Sequence, residues 1–435
     1  MDSHFNDAGA LGPPPTDDPS FGVAARASLQ EGRTRTLKHG DTFGVFDHNG
    51  DIHAHPAGAE GLFHRDMRHL SRLTLAIAGA RPLLLSSTLR DDNATLTCDL
   101  TNPDITDAQG ETVLDHDLVH VRRSRFLWKG TCHERLAVRN FADKAVSIAL
   151  DIGFSADFAD LFEVRGTARV RRGQLHDPQL GPDHVELAYN GLDGIVRRTQ
   201  MRFFPQPDAL SGNHARFDLI LAPGETRSVF LAIDCLGGEA AAVSRTSFFS
   251  AIREARRALR ASSSRATAIV TSNEIFNESI RRSVSDLYML ITDTPEGPYP
   301  YAGVPWFSTV FGRDALITAF ETLWLDPAIA RGVLFHLAAN QAKAVDAAAD
   351  AEPGKILHEV RYGEMAELGE VPFRRYYGSI DSTPLFVMLA GAYLERTGDV
   401  EAVRRLWPHI EAALGWIDRY GDRDGDGYVE YGRLT

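Results

Sequence analysis

The hydrophobic pattern changes period near Ser272, and this change constrains the fold more than any other feature of the sequence. Upstream, apolar and polar residues alternate over short runs, the period of a strand with one buried face. Downstream, apolar residues recur at three and four, the period of a helix face. One type of layer cannot bury both patterns, so a β domain followed by a helical domain is expected. With 435 residues and 43% hydrophobic content, each part has enough apolar material for a core of its own.

Between Leu37 and Asp234 the alternating runs include Thr42–Phe46, Leu73–Ile77, Leu118–Val121, Val146–Ile152, Phe217–Leu221 and Ser228–Ile233, with His48–Asp51 and Pro223–Gly224 reading as turns. Strands at this spacing predict an antiparallel β-sandwich over 31–237. Residues 1–30, rich in Pro, Gly, Asp and Ser, bury too little to offset the entropy of ordering and read as a disordered tail. An Ala/Arg/Ser-rich stretch with apolar Phe248, Ile252 and Leu259 predicts a linker helix within 238–271. Over 272–435, Ile280, Val284, Leu287 and Ile291 mark a helix capped by Ser272 or Asn273, and further helices are expected at 314–325, 328–346, 382–397 and 399–420. The long loops 295–312 and 350–380 concentrate aromatic, glycine and charged residues, where a helical scaffold collects binding groups.

A formal charge of −13 argues against a nucleic-acid or anionic-membrane partner, because phosphate neutralisation needs a clustered basic face. No apolar run reaches the length of a membrane span, and the first residues lack a basic start followed by an apolar stretch, so a soluble, cytoplasmic protein is expected. Cys98, Cys132 and Cys235 lie too far apart for a zinc site and read as buried free thiols. No cofactor and no metal are expected.

Three loop segments carry chemistry. In Trp306–Asp314, an indole suited to a pyranose face lies near the Arg313 guanidinium and the Asp314 carboxylate, which can bond sugar hydroxyls. The alternative is Asp314 as a helix cap and Trp306 in the core. His358, Glu359, Arg361 and Glu364 crowd a second loop that lacks the second His of a zincin motif, and a solvated charged loop is its alternative reading. Asp381, at the start of a helix, is a candidate general acid if partial burial raises its pKa; as an N-cap, the helix dipole would lower it. Asp422, Asp424 and Asp426 look like the start of a calcium loop, but Arg433 stands where a bidentate Glu belongs, so a tight Asx turn is expected.

Taken in order, these segments resemble the amylo-α-1,6-glucosidase family of glycogen debranching enzymes, which are inverting glycosidases built on an (α/α)6 barrel. Gly61-Leu62-Phe63 with Asp66-Met67-Arg68 and Leu70 resembles the family's "GL(F/Y)…DTR…L" pattern, with Met67 in the usual Thr place. Trp306-Phe307 with Phe311-Gly312-Arg313-Asp314 is similar to its "W-F…FGRD" segment, and His358-Glu359, Arg361 and Gly363-Glu364 to its "HE-R-GE" loop. Tyr377-Gly378-Ser379-Ile380-Asp381-Ser382-Thr383 is similar to its "Y-x-S-(I/V)-D-(A/S)-T" segment. The resemblance implies an N-terminal antiparallel β-sandwich followed by the first half of an (α/α)6 toroid. It implies Asp381 as the general acid, and Trp306, Arg313, Asp314, His358, Glu359, Arg361, Glu364 and Tyr377 as substrate-binding residues. The bond cleaved would be the α-1,6 branch point of a glycogen-like α-glucan.

Inversion needs a second carboxylate, a general base roughly 6.5–9.5 Å from the acid. In the family that base comes from a later barrel loop, and no segment here matches it; Glu359 and Glu364 are candidate substitutes, but nothing in the spacing shows that they face Asp381. The chain is therefore expected to be C-terminally truncated or split, to turn over little alone, and to have a separately encoded half-barrel as a candidate partner. The competing expectations are a trehalase-like or glucoamylase-like enzyme on the same barrel and a non-catalytic carbohydrate-binding fragment.

Overall fold

The computed structural model describes residues 34–53, 58–107, 109–237, 247–430 and 432; the expected tail 1–30, the first part of the expected linker and Arg433 lie outside them. Two antiparallel sheets face each other. One runs in the order Ala209–Leu210, His214–Leu221, Val146–Ser155, Arg72–Ile77 and Ile52–His53. The larger runs Gln174–Leu175, His184–Asn190, Val196–Phe204, Thr226–Gly237, Thr131–Asn140, Val119–Trp128, Leu96–Thr101 and Leu83–Leu89, with Gln179–Leu180 also paired to His184–Asn190. Alternation sends Leu75, Ile77, Leu150, Ile152 and Phe217 from the first sheet against Leu100, Val121, Val138, Met201 and Ile233 from the second, in one core. A slip of one residue would turn each strand's apolar set to solvent, so the pattern fixes the register.

A third sheet, Arg35–His39, Thr42–Phe46, Gly61–His64 and Met67–Leu70, carries two turns that touch the helical part. From the first turn, Asp41 accepts a 2.7 Å bond from Tyr301 Oη. Close by, buried Lys38 donates to Thr292 Oγ1 at 2.8 Å.

The helices are α1 (Leu161–Val164), α2 (Phe248–Ser263), α3 (Glu274–Leu290), α4 (Gly312–Glu321), α5 (Pro327–Ala339), α6 (Glu364–Glu367), α7 (Ser382–Thr397) and α8 (Val400–Trp416). Asn273 caps α3 by accepting from Phe276 N. Helix α5 stops at Ala339, short of the expected 346, because Gln341 is recruited elsewhere: its side chain donates to Gly354 O at 2.8 Å and His409 O at 2.9 Å, pinning the loop to α8. Leu316, Ile329, Val333, Leu337, Phe386, Leu389 and Leu406 form the core between α4, α5, α7 and α8. The expected Asx turn is present, with Asp422 Oδ1 accepting from Gly425 N at 2.7 Å and Asp426 N at 3.1 Å.

The two parts are joined by a buried ionic contact. Asp66 lies in the turn between Gly61–His64 and Met67–Leu70, with φ at +61°, a left-handed conformation that Asp tolerates better than most residues. Its Oδ1 meets the Arg361 guanidinium at 3.0 Å and its Oδ2 accepts from Tyr362 N at 2.9 Å. Arg361, 1% exposed, also donates to Glu359 at 2.6 Å and to Trp306 O at 2.8 Å. Glu364, fully buried, accepts from Arg169 at 3.1 Å, Tyr189 Oη at 2.7 Å and Leu192 N at 2.6 Å, all in the β domain. A Cβ on Gly363 would lie 2.3 Å from Asp160 Oδ2, so only glycine lets the loop settle this close.

Removing one partner from such a pair strands the other as an uncompensated buried charge, at a cost of about 3–5 kcal/mol. Asp66→Ala and Arg361→Ala should each lower unfolding free energy in urea on that scale, and the double variant should lose much less than the sum. Additive losses below about 1 kcal/mol each would show that the pair does not hold the domains together.

Candidate active site

The three motif segments, far apart in sequence, are stitched into one ribbon. Phe311 pairs with Glu359, and Glu359 pairs with Tyr376. Around these pairs Gly312 N donates to His358 O at 2.8 Å, His358 N to Tyr376 O at 2.8 Å, and Tyr376 N to Glu359 O at 2.9 Å. Thr309 Oγ1 adds a 2.7 Å bond to Val360 O. Gly312 is required where it stands, because a Cβ there would fall 1.9 Å from Leu357 O. The ribbon thus sets the N-terminus of α4 beside the His358 loop, and the Ile356 N bond to Thr383 Oγ1, 2.9 Å, brings α7 to the same place.

Asp381 precedes α7 as its N-cap residue, yet its side chain makes no cap hydrogen bond. Ser379 takes that duty: its Oγ accepts from Ser382 N at 3.3 Å and bonds Ser382 Oγ at 2.8 Å. Ser379 Oγ also donates to Asp381 Oδ1 in a short hydrogen bond. The capping role foreseen as an alternative for Asp381 thus falls to the serine two residues upstream. Arg313, in the first turn of α4, stands between two carboxylates, 3.6 Å from Asp381 and 3.9 Å from Asp314. Asp314 lies inside the first turn of α4 and does not cap it; the N-cap residue is Phe311, without a side-chain bond. Arg313, Asp314 and Asp381 are 46%, 40% and 40% exposed, so these ion pairs hold little folding energy and can be exchanged for contacts with a ligand.

His358 completes the cluster. Burial pushes its imidazole pKa down, the Arg313 charge pushes the same way, and Asp314 and Asp381 oppose them. A neutral ring results at pH 7, held edge-on to Phe311 and Tyr376 at 5.9 and 6.1 Å between centroids. His358 Nδ1, Asp314 Oδ2 and Ser308 Oγ are buried without a hydrogen-bond partner among the described residues. Such atoms are uncommon in folded proteins, and their gathering in two of the motif segments points to a site whose partner is a ligand.

Not every expected substrate residue reaches this cluster. Arg361 and Glu364 are taken up by the domain interface, with no exposed edge to offer a sugar. Glu364 therefore cannot act as a base. Glu359 is 7% exposed and clamped to Arg361, and burial raises its carboxyl pKa. Tyr377 is buried, its hydroxyl donating to Asn340 O at 2.8 Å, a packing role. Trp306 packs against the apolar cluster of Phe43, Val45, Phe63 and Leu161 between the domains, beneath Arg165 at 5.7 Å. Its neighbour Phe307, 45% exposed, is the freer aromatic, and nothing in the spacing distinguished the two.

The cluster opens toward an apolar stripe. Arg313, Ile317, Phe320 and Trp324 follow one another at four, three and four residues, one face of α4 and its continuation, and the last three are 41%, 43% and 49% exposed. On α7, Asp381 lies on the same face as Met388, which is 57% exposed. The two charged residues thus head helix faces that no described residue covers.

Residues 37–232 match the family described as the N-terminal domain of (some) glycogen debranching enzymes. No curated protein sequence is significantly similar to the chain. Among solved structures, a putative kojibiose phosphorylase from human microbiome matches 87% of this chain and 56% of its own length, with a TM-score of 0.57 and 9% identity. A bacterial glucoamylase complexed with acarbose matches 92% of this chain and 60% of its own, with a TM-score of 0.52 and 10% identity. At these identities the likeness is one of fold, and the chain spans little more than half the length of either structure. Residues 37–232 are thus similar to the N-terminal domain of some glycogen debranching enzymes, and the chain as a whole shares its fold, a β domain followed by helices, with these two structures.

Proposed function

We propose that Arg313, Asp314, His358 and Asp381 form the sugar-holding half of an inverting amylo-α-1,6-glucosidase centre, with Asp381 as the general acid. The observation that carries this reading is a carboxylate at a helix N-terminus that is relieved of capping, faces a guanidinium, and lies beside unpartnered buried polar atoms. Arg313 and Asp314 bind hydroxyls of the terminal glucose, neutral His358 adds one donor and one acceptor, and Phe307 offers an apolar face. Asp381 protonates the departing glycosidic oxygen as water attacks the anomeric carbon from the opposite side.

That water needs a base. With Glu364 buried in the interface and Glu359 clamped to Arg361, we assign the base to a segment that covers the stripe of Ile317, Phe320, Trp324 and Met388, in the same polypeptide or in a partner half-barrel. Covering the stripe also removes exposed apolar surface, so completing the site and burying this face become one event. The three buried, unpaired cysteines fit a reducing compartment, and a cytoplasmic setting is part of the same proposal.

In the full polypeptide that carries these residues, Asp381→Asn should lower kcat on panose by roughly 10²–10⁴-fold with the unfolding midpoint unchanged; a loss under about tenfold would remove Asp381 as the acid. Proton NMR of the first glucose released should show the β-anomer. The α-anomer would contradict inversion, and glucose 1-phosphate formed in phosphate buffer would mark phosphorolysis instead. Gly312→Ala should cost both stability and activity, because the Leu357 carbonyl must give way and the ribbon with it. Unchanged kcat/KM would show that the ribbon does not position the site.

A further inference from the structure

The outer face of the larger sheet holds a second concentration of polar groups around a cavity. Across that sheet His133 stands opposite Ala232, Ala232 opposite Arg202, and Arg202 opposite His184. One step along on the same face, Gln200 is opposite Asp234, and in the other direction Phe204 is opposite Phe230. Side chains alternate, so this set points away from the core that takes Met201, Phe203, Leu231 and Ile233. The first turn of α2 lies over the face, with Phe248 and Phe249 at 5.7 and 5.8 Å from Phe230. Between them is a cavity of about 800 Å³ lined by His133, Gln200, Arg202, Phe204, Phe230 and Phe249 among others. That volume falls in the ~300–1,000 Å³ range of small-molecule sites.

The chemistry of the lining narrows the ligand. Arg202 meets Asp234 at 2.9 Å, and Thr131 Oγ1 donates 2.6 Å to the other carboxylate oxygen, so this charge is balanced within the wall. His184 is likewise paired with Asp183 at 2.9 Å. Two neutral groups are left over. His133, 2% exposed, stacks on Phe126 at 4.9 Å and has no side-chain hydrogen bond among the described residues. Burial pushes its pKa down to about 4, leaving one donor and one acceptor at pH 7. Gln200 Oε1 is buried with no partner among the described residues. Against these stands an aromatic wall that includes Phe204, 72% exposed.

We propose that this cavity is an accessory carbohydrate site taking a short neutral oligosaccharide, whose hydroxyls bond His133 and Gln200 and whose C–H face lies on Phe204 and its aromatic neighbours. A charged ligand would find its countercharges already paired. None of the lining residues belongs to the Asp381 cluster, so the two sites bind separately. The use of an α-glucan as first probe rests on the glucosidase reading; the site itself does not.

Calorimetric titration of the full chain with maltotriose and with cellotriose tests this, on the wild type, Phe204→Ala, Gln200→Leu and Arg313→Ala. At least one trisaccharide should bind Phe204→Ala and Gln200→Leu about tenfold more weakly, a change of roughly 1.4 kcal/mol, while Arg313→Ala leaves this event intact. Thermal unfolding of Phe204→Ala should match the wild type, since its ring is largely exposed. Failure of both sugars to bind at tens of millimolar, or binding lost in Arg313→Ala and untouched in Phe204→Ala, would overturn the proposal. Binding retained at this site in the complete enzyme, with the segment that covers the stripe present, but without glucosidase activity would contradict the glucosidase reading alone.

Discussion

Arg361 is the residue on which the two halves of this molecule agree. Its guanidinium, sealed from solvent, is shared by Asp66 of the β domain, Glu359 of its own loop and the Trp306 carbonyl of the preceding segment. A buried charge of this kind is tolerated only when each of its partners is in place, so it couples three pieces of chain in an all-or-none way. Once Arg361 is held, Glu359 is held, and the ribbon through Phe311 and Tyr376 follows. That ribbon fixes the starts of α4 and α7, and with them Arg313 and Asp381. The β domain therefore acts as the template for the loop that carries His358.

The functional cluster is built on the opposite principle. Its ion pairs are long and open to water, its histidine is neutral, and three buried polar atoms have no hydrogen-bond partner among the described residues. Strong contacts lie one layer behind, at Arg361 and Glu364, while weak and exchangeable ones face outward. A site arranged this way can accept sugar hydroxyls without first breaking a costly internal bond. The exposed stripe of Ile317, Phe320, Trp324 and Met388 continues along the helix faces that Arg313 and Asp381 head.

Much of this was legible in the sequence. The alternation that marked Val146–Ile152 and Phe217–Leu221 is the inward row of one sheet, and the helix expected at 382–397 is α7. Local signals fixed these because period and burial coincide. What stayed hidden were partners distant in sequence. Asp66 lies 295 residues from Arg361 and Arg169 lies 195 from Glu364, so charge and spacing alone could not tell an interface anchor from a sugar ligand. The end of α5 was hidden for the same reason, since the alanines after Asn340 favour helix and only the reach of Gln341 to α8 stops it. The release of Asp381 from capping depends on Ser379, whose role is visible only once the turn is folded.

The central claim, that the Arg313–His358–Asp381 cluster receives a glucose-like ring while the Arg361–Glu364 layer only supports it, is tested most directly by hydrogen–deuterium exchange with and without a glucose-configured imino sugar. Protection is expected in peptides covering 308–314, 356–360 and 376–382, with the Asp66 turn and the 361–367 segment already protected without ligand. Protection absent from the three motif peptides, or confined to the 361–367 segment, would contradict it.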